Sequence, residues 1–190
     1  MSQQMVKVWD PLVRIFHWSL VSAFFIAYLT EDDWMTVHVW AGYLVGGQVA
    51  FRLFWGFVGP RHARFSDFVR APGEAIAYLK DELSGRARRY LGHNPAGGAM
   101  VVALLISLSL TVFTGLVVYG AGECSGPLAT ALCGSGKWLA EAGEEVHEFL
   151  ANFTLFLVVL HVAGVVLASL LHHENLVRSM IDGRKPADVD

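Results

Sequence analysis

Four apolar stretches dominate this chain: residues 12–29, 34–58, 97–119 and 146–171. Each supplies the ~20 mostly apolar residues that a helix needs to cross the hydrocarbon of a bilayer. No alternation of apolar and polar residues competes with them. In lipid a helix also satisfies its own backbone, which a lone strand cannot do. Composition points the same way: 16% of the residues are charged and 54% hydrophobic, against roughly 25% charged in a soluble domain. The expected fold is all-α, an integral membrane four-helix bundle forming one domain over residues 1–190 without internal repeats. No small-residue cleavage site follows the first stretch before Glu31, so that stretch is expected to remain as a span.

Charge sets the expected orientation. With four spans, both termini and the loop 60–95 share a face. That face takes all but one of the 14 Lys and Arg residues, leaving only Lys137 opposite. The positive-inside rule makes it cytoplasmic, with both termini cytoplasmic in a multi-pass protein of the bacterial inner membrane. The opposite, periplasmic face includes the loop 120–145 and is acidic: Glu31, Asp32, Asp33, Glu123, Glu141, Glu144 and Glu145. Such a surface would steer a basic redox partner; topology alone would also leave it short of cations. In the cytoplasmic loop, APGEAIAYLKDEL from Ala71 has Pro72 at a first helical position, which predicts a short helix on the membrane surface. The basic SGRARRY turn after it is placed to meet anionic lipid headgroups. The net charge of −3 gives no basic excess for nucleic acid, and no such partner is expected. Cys124 and Cys133 lie in the outer loop, where a disulfide can form; two free thiols are the other reading.

The histidines carry the chemistry. His147 and His161 are fourteen residues apart, which returns them to one helix face roughly 21 Å apart along the axis. That is too far to share one ion. By depth, His38 matches His147 near the outer edge, and His17 matches His161 in the inner half. Ionisable groups within spans are costly and mark function. Zinc usually takes four protein ligands, whereas two facing imidazoles leave four equatorial positions empty. A porphyrin fills those four, and helix bundles hold such cofactors in their cores. The expectation is therefore two b haems, with His17, His38, His147 and His161 as axial ligands to iron. Gly42, Gly46, Gly47 and Gly164 leave room for a flat macrocycle or, alternatively, for close helix packing. Arg14 and Arg52 could pair with haem propionates or snorkel to headgroups. His172 and His173 fall at the membrane boundary, and His62 lies in a basic loop.

At WDPLVRIFHW, Trp9 to Trp18, the chain resembles the four-helix di-haem b-type membrane cytochromes. That group includes bacterial cytochrome b561 and the cytochrome b subunits of nickel–iron hydrogenases and formate dehydrogenases. The resemblance extends through Arg14 to Trp18, His38 to Gly42, the GHNPAGG of Gly92 to Gly98, and the pair His147 and His161. It implies a bis-histidine di-haem protein of a respiratory chain, moving electrons between quinone and a partner at the outer face. The partner would be a periplasmic c-type cytochrome or a hydrogenase- or dehydrogenase-type subunit. It also implies a quinone site near the inner haem at the start of the third span, here Asn94 with His93. On its residues alone, Asn94-Pro95 equally suits a helix cap and turn.

Two other functions are open. A superoxide:quinone oxidoreductase would let the outer haem take electrons from a small oxidant. A histidine-based metal or proton transporter would need polar residues continuing through the membrane centre. The third and fourth stretches offer mainly Val, Leu and Phe with a few hydroxyls, which disfavours it.

Overall fold

A computed structural model describes residues 4–31 and 33–187; Asp32 of the acidic outer set lies outside them. In chain order, strand β1 (Met5–Lys7) leads into helices α1 (Pro11–Leu29) and α2 (Met35–Val58). A 3-10 turn (Arg61–Ala63), α3 (Phe65–Phe68) and α4 (Pro72–Leu83) follow. Then come α5 (Pro95–Gly122), α6 (Ala129–Leu132), α7 (Lys137–Leu171), α8 (Leu176–Asp182) and strand β2 (Arg184–Pro186).

Of the described helices, α1, α5 and α7 are long and apolar enough to cross a membrane. The helix α2, 24 residues long, falls short on composition, because His38, Gln48 and Arg52 lower its hydropathy. Large apolar side chains face outward on these helices: Trp40 is 69% exposed, Phe57 74% and Leu170 67%. Water would penalise such a surface, whereas lipid matches it.

Local chemistry sets the helix ends. Asp10 accepts from Leu12 N and Val13 N at 3.0 and 3.2 Å and caps α1, with Pro11 at its first position. Pro72 opens α4. The helix α7 begins at Lys137, well before the apolar stretch, because the KWLAEAGEE segment forms helix readily but is too polar to register as a span. The all-helical expectation also misses the ribbon of β1 and β2, paired antiparallel with Val6 opposite Lys185. Three residues per strand are too few to show a period of two.

The chain forms two compact units, each assembled from distant segments. Of the described residues, the first contains 4–19, 51–103 and 158–187, and the second contains 20–31, 33–50 and 104–157. In the first unit, Gly183 ends α8 at φ +81°, and its carbonyl accepts from Val8 N at 2.9 Å. A Cβ there would stand 2.7 Å from Trp9 O, so the close approach needs glycine. Lys185 reaches Glu174 at 3.1 Å and Arg89 pairs with the same carboxylate, tying the ribbon to the loop before α5.

In the second unit, Thr154 of α7 is fully buried and meets Ser107 of α5 hydroxyl to hydroxyl at 2.7 Å. Polar contacts of this kind hold helices together in lipid, where apolar burial gives little drive. Gly46 faces Val112, whose Cγ1 would lie 3.0 Å from an added Cβ, so this glycine serves close helix packing. Cys124 and Cys133 are joined as a disulfide, with Cα atoms 4.7 Å apart.

Candidate functional site

The second unit brings together His38 of α2 and His147 of α7, their ring centres 6.0 Å apart. His38 Nδ1 lies 2.8 Å from Ala27 O, and His147 Nδ1 lies 2.9 Å from Thr111 O. A carbonyl only accepts, so both Nδ1 atoms carry the proton. In a neutral ring that leaves each Nε2 as a free lone pair. Such a contact fixes a histidine ligand's tautomer and aim. Gly115 of α5 packs against the His147 ring, where a Cβ would stand 2.9 Å from Cε1.

Both histidines line an apolar cleft whose unfilled space is roughly 750 Å³, including the part open to the surroundings. Gly42 lies on its wall, and an added Cβ there would meet nothing within 4 Å. Sequence reasoning misses Ala27, Thr111 and Gly115. The first two act through backbone carbonyls, which any residue type would supply.

The first unit brings together His17 of α1 and His161 of α7, their ring centres 6.3 Å apart. No carbonyl orients His17: its Nδ1 is buried without a hydrogen-bond partner among the described residues. Gly164, near His161, has open space where its Cβ would be. Two guanidinium groups belong to this unit. Among the described residues, Arg14 Nε is buried without a hydrogen-bond partner, and so is Nη1 of Arg52. Arg52 is only 3% exposed, with its guanidinium carbon 5.2 and 5.8 Å from the ring centres of Phe65 and Phe68. Cation–π contact offsets part of the burial of that charge but supplies no acceptor oxygen.

Asn94 caps α5, its Oδ1 accepting from Gly97 N at 2.6 Å. His93 lies between the tilted rings of Trp9 and Phe68, with centres 4.7 and 4.6 Å away, and its Nδ1 is buried without a hydrogen-bond partner among the described residues. Burial first, then the charges of Arg52 and Lys185 and the proximity of His161, push the His93 pKa down to about 3, with Asp67 opposing. The ring is therefore neutral at any ordinary pH. His62 pairs with Asp67 at 3.0 Å. His172 faces Glu82 at 3.4 Å.

Among the described residues no three or more His, Cys, Asp or Glu side chains converge to hold a bare metal ion. Each pair offers two nitrogens, so the rest of a coordination sphere has to come from outside the polypeptide.

Comparison with known proteins identifies the class. The profile of the prokaryotic cytochrome b561 family matches residues 8–183. A "Probable Ni/Fe-hydrogenase B-type cytochrome subunit" of Rhodobacter capsulatus is 24% identical, over 95% of this chain and 81% of that protein. Proteins of the same description from Azotobacter chroococcum and Cupriavidus necator are 25% and 29% identical. The first alignment covers 95% of this chain and 88% of the relative, the second 77% and 64%. These similarities, with membrane-length helices and facing imidazoles, define a membrane b-type cytochrome of electron transport. The chain belongs to the prokaryotic cytochrome b561 family, and the family implies haem b as cofactor.

Proposed function

We propose that this protein conducts electrons between a quinone and an outer redox partner through two b haems, held by His38 with His147 and by His17 with His161. The ring spacing carries the reading. A metal-bound imidazole nitrogen lies about 2 Å from its ion and the ring centre about 1 Å beyond, so two imidazoles on opposite sides of one ion stand about 6 Å apart. The observed spacings are 6.0 and 6.3 Å. The open space at Gly42 and Gly164 suits a planar ring. Bound haem supplies a one-electron iron couple.

Every other task falls to this chain's residues. Ala27 O and Thr111 O aim two of the imidazoles. Arg14 and Arg52 offer unpartnered N–H groups to propionates. We place quinone at the His17–His161 end, where His93 keeps a free, buried ring nitrogen and Asn94 holds the turn.

The same reading makes α2 a fourth span of one membrane domain, because helix pairing in the protein interior accommodates His38, Gln48 and Arg52. Lys and Arg asymmetry puts both termini in the cytoplasm of a bacterial inner-membrane protein. The outer partner is a hydrogenase-type subunit, in line with the names of its relatives, or a periplasmic c-type cytochrome.

Haem content tests this directly. Pyridine haemochrome assay of the purified protein should give two haems per chain. His38→Ala and His17→Ala should each leave one, with distinct residual spectra. A ratio near one in the native protein would remove one pair from the scheme, and a haem-free protein would end it.

A further inference from the structure

Thr154 of α7 and Ser107 of α5 are buried hydroxyls within the second unit, where apolar side chains could also pack. Their oxygens lie 2.7 Å apart. The hydrogens can be assigned from the partners. Thr154 donates to Leu150 O at 2.8 Å, and Thr111 donates to Ser107 O at 2.9 Å. Ser107 therefore gives its hydrogen to Thr154 Oγ1, which also lies 3.4 Å from Thr111 Oγ1. Three hydroxyls from two helices meet at Thr154.

Thr111 takes part twice. Its side chain belongs to this cluster, and its carbonyl accepts from His147 Nδ1 at 2.9 Å. Further along, Gly115 of α5 packs on the His147 ring, and a Cβ on Gly143 of α7 would stand 3.2 Å from Val118 Cγ2. Contacts advance along α5 as they fall back along α7, so one antiparallel register runs through all three levels. The hydrogen bonds are its strictest constraint. A good N–H···O distance stays within about 2.7–3.2 Å, whereas a slip of one residue moves a helix by ~1.5 Å. Because Thr111 carries both contacts, whatever holds its side chain also places its carbonyl.

We infer that Thr154 and Ser107 are positioning residues for His147. Their hydroxyl pair locks α7 to α5 in the register that keeps Thr111 O on His147 Nδ1, and so fixes the tautomer and aim of that ring. The inference rests on the haem reading above. Thr154→Val keeps the branched shape but leaves the Ser107 hydrogen without its acceptor in an apolar interior. That costs free energy which a small shift of one helix against the other relieves. The same shift draws Thr111 O away from His147.

The test uses the holoprotein with both haems bound. In Thr154→Val the His38–His147 haem should pass to apomyoglobin about threefold faster, below the roughly 10–100-fold of a ligand's direct partner, because Thr111 stands between. Its potential should rise and its low-field EPR g value should shift, while the His17–His161 haem keeps its retention, potential and g value. Thr154→Ser, which retains the hydroxyl, should restore all three. Native retention, potential and g values in Thr154→Val would overturn the inference. So would equal loss from both sites with both potentials unchanged, the mark of general loosening, or a Thr154→Ser variant that restores nothing. If Thr154→Val fails to assemble, Ser107→Ala carries the same comparison with the same outcomes. A His147→Ala variant that keeps the full haem content would instead sink the ligand assignment on which the inference rests.

Discussion

The two histidine pairs have nearly the same spacing but are supported differently. At His38 and His147, two backbone carbonyls fix both rings, and a glycine packs against one of them. At His17 and His161, the Nδ1 of His17 has no acceptor among the described residues, while Arg14, three residues before His17, and Arg52, in the same unit, carry nitrogens without partners among them. One site is oriented by dipoles, which hold a ligand's tautomer and angle. The other shares its unit with two cationic side chains, whose charge acts on the potential of whatever the ligands hold. A cofactor pair built this way would differ in how tightly each haem is retained and in how strongly each responds to nearby charge.

The largest expected effect comes from spoiling the oriented pair. Gly115→Ala puts a Cβ 2.9 Å from His147 Cε1, so ring or helix has to shift. Disturbing the support of a metal ligand typically weakens binding by roughly 10–100-fold. We expect the His38–His147 haem to be lost at least tenfold faster to apomyoglobin in a competition assay, with the His17–His161 haem unaffected. Equal loss from both sites would show that the packing of α5 against α7, rather than the ring's orientation, is at stake.

How much of this was legible in the sequence varies with the chemistry involved. The matching of His17 with His161 and of His38 with His147 followed from helical rise and chain direction, and each pair meets in the structure. The start of α4 at Pro72 followed from the fixed φ of proline. What stayed hidden depends on groups that side-chain identity does not report. The acceptors for His38 and His147 are main-chain carbonyls. The Glu82–His172 contact joins residues 90 positions apart, a pairing that no local pattern announces. The terminal ribbon is too short for a pattern, and the extra turns of α7 are polar. Asn94 was legible as both cap and quinone contact; the structure shows the cap.

A smaller effect should single out the charged pair. Arg52 is buried and its positive charge favours the reduced, less positive iron. Arg52→Gln should lower one haem potential by on the order of 50 mV, about 1 kcal/mol for one electron, as expected for a charge roughly 15 Å from the iron in a medium of effective dielectric ~20. The other potential should hold. Redox titration of the two components resolves this. A shift in both potentials, or a rise, would remove the charge-based distinction between the sites.

The smallest effect tests which acceptor aims His147. Thr114 Oγ1 lies 3.2 Å from His147 Nδ1, and Thr111 O lies 2.9 Å from the same atom. The Thr114 hydroxyl already has the Leu110 and Thr111 carbonyls at 2.9 and 3.0 Å for its own proton, so toward the ring it acts only as a second acceptor. Thr114→Val keeps the branched shape and removes that oxygen. The carbonyl remains, and a shared hydrogen bond contributes less than the ~1 kcal/mol of a full one. An imidazole that gives less of its Nδ1 proton away donates less electron density to iron. The potential of the His38–His147 haem should therefore rise, by on the order of 10 mV, with haem retention within about twofold of the native protein. A shift or a loss as large as that of Gly115→Ala would mean that the hydroxyl, not the carbonyl, holds the ring. The contrast between a backbone-oriented pair and a pair that shares its unit with Arg14 and Arg52 would then have to be redrawn around side chains in both.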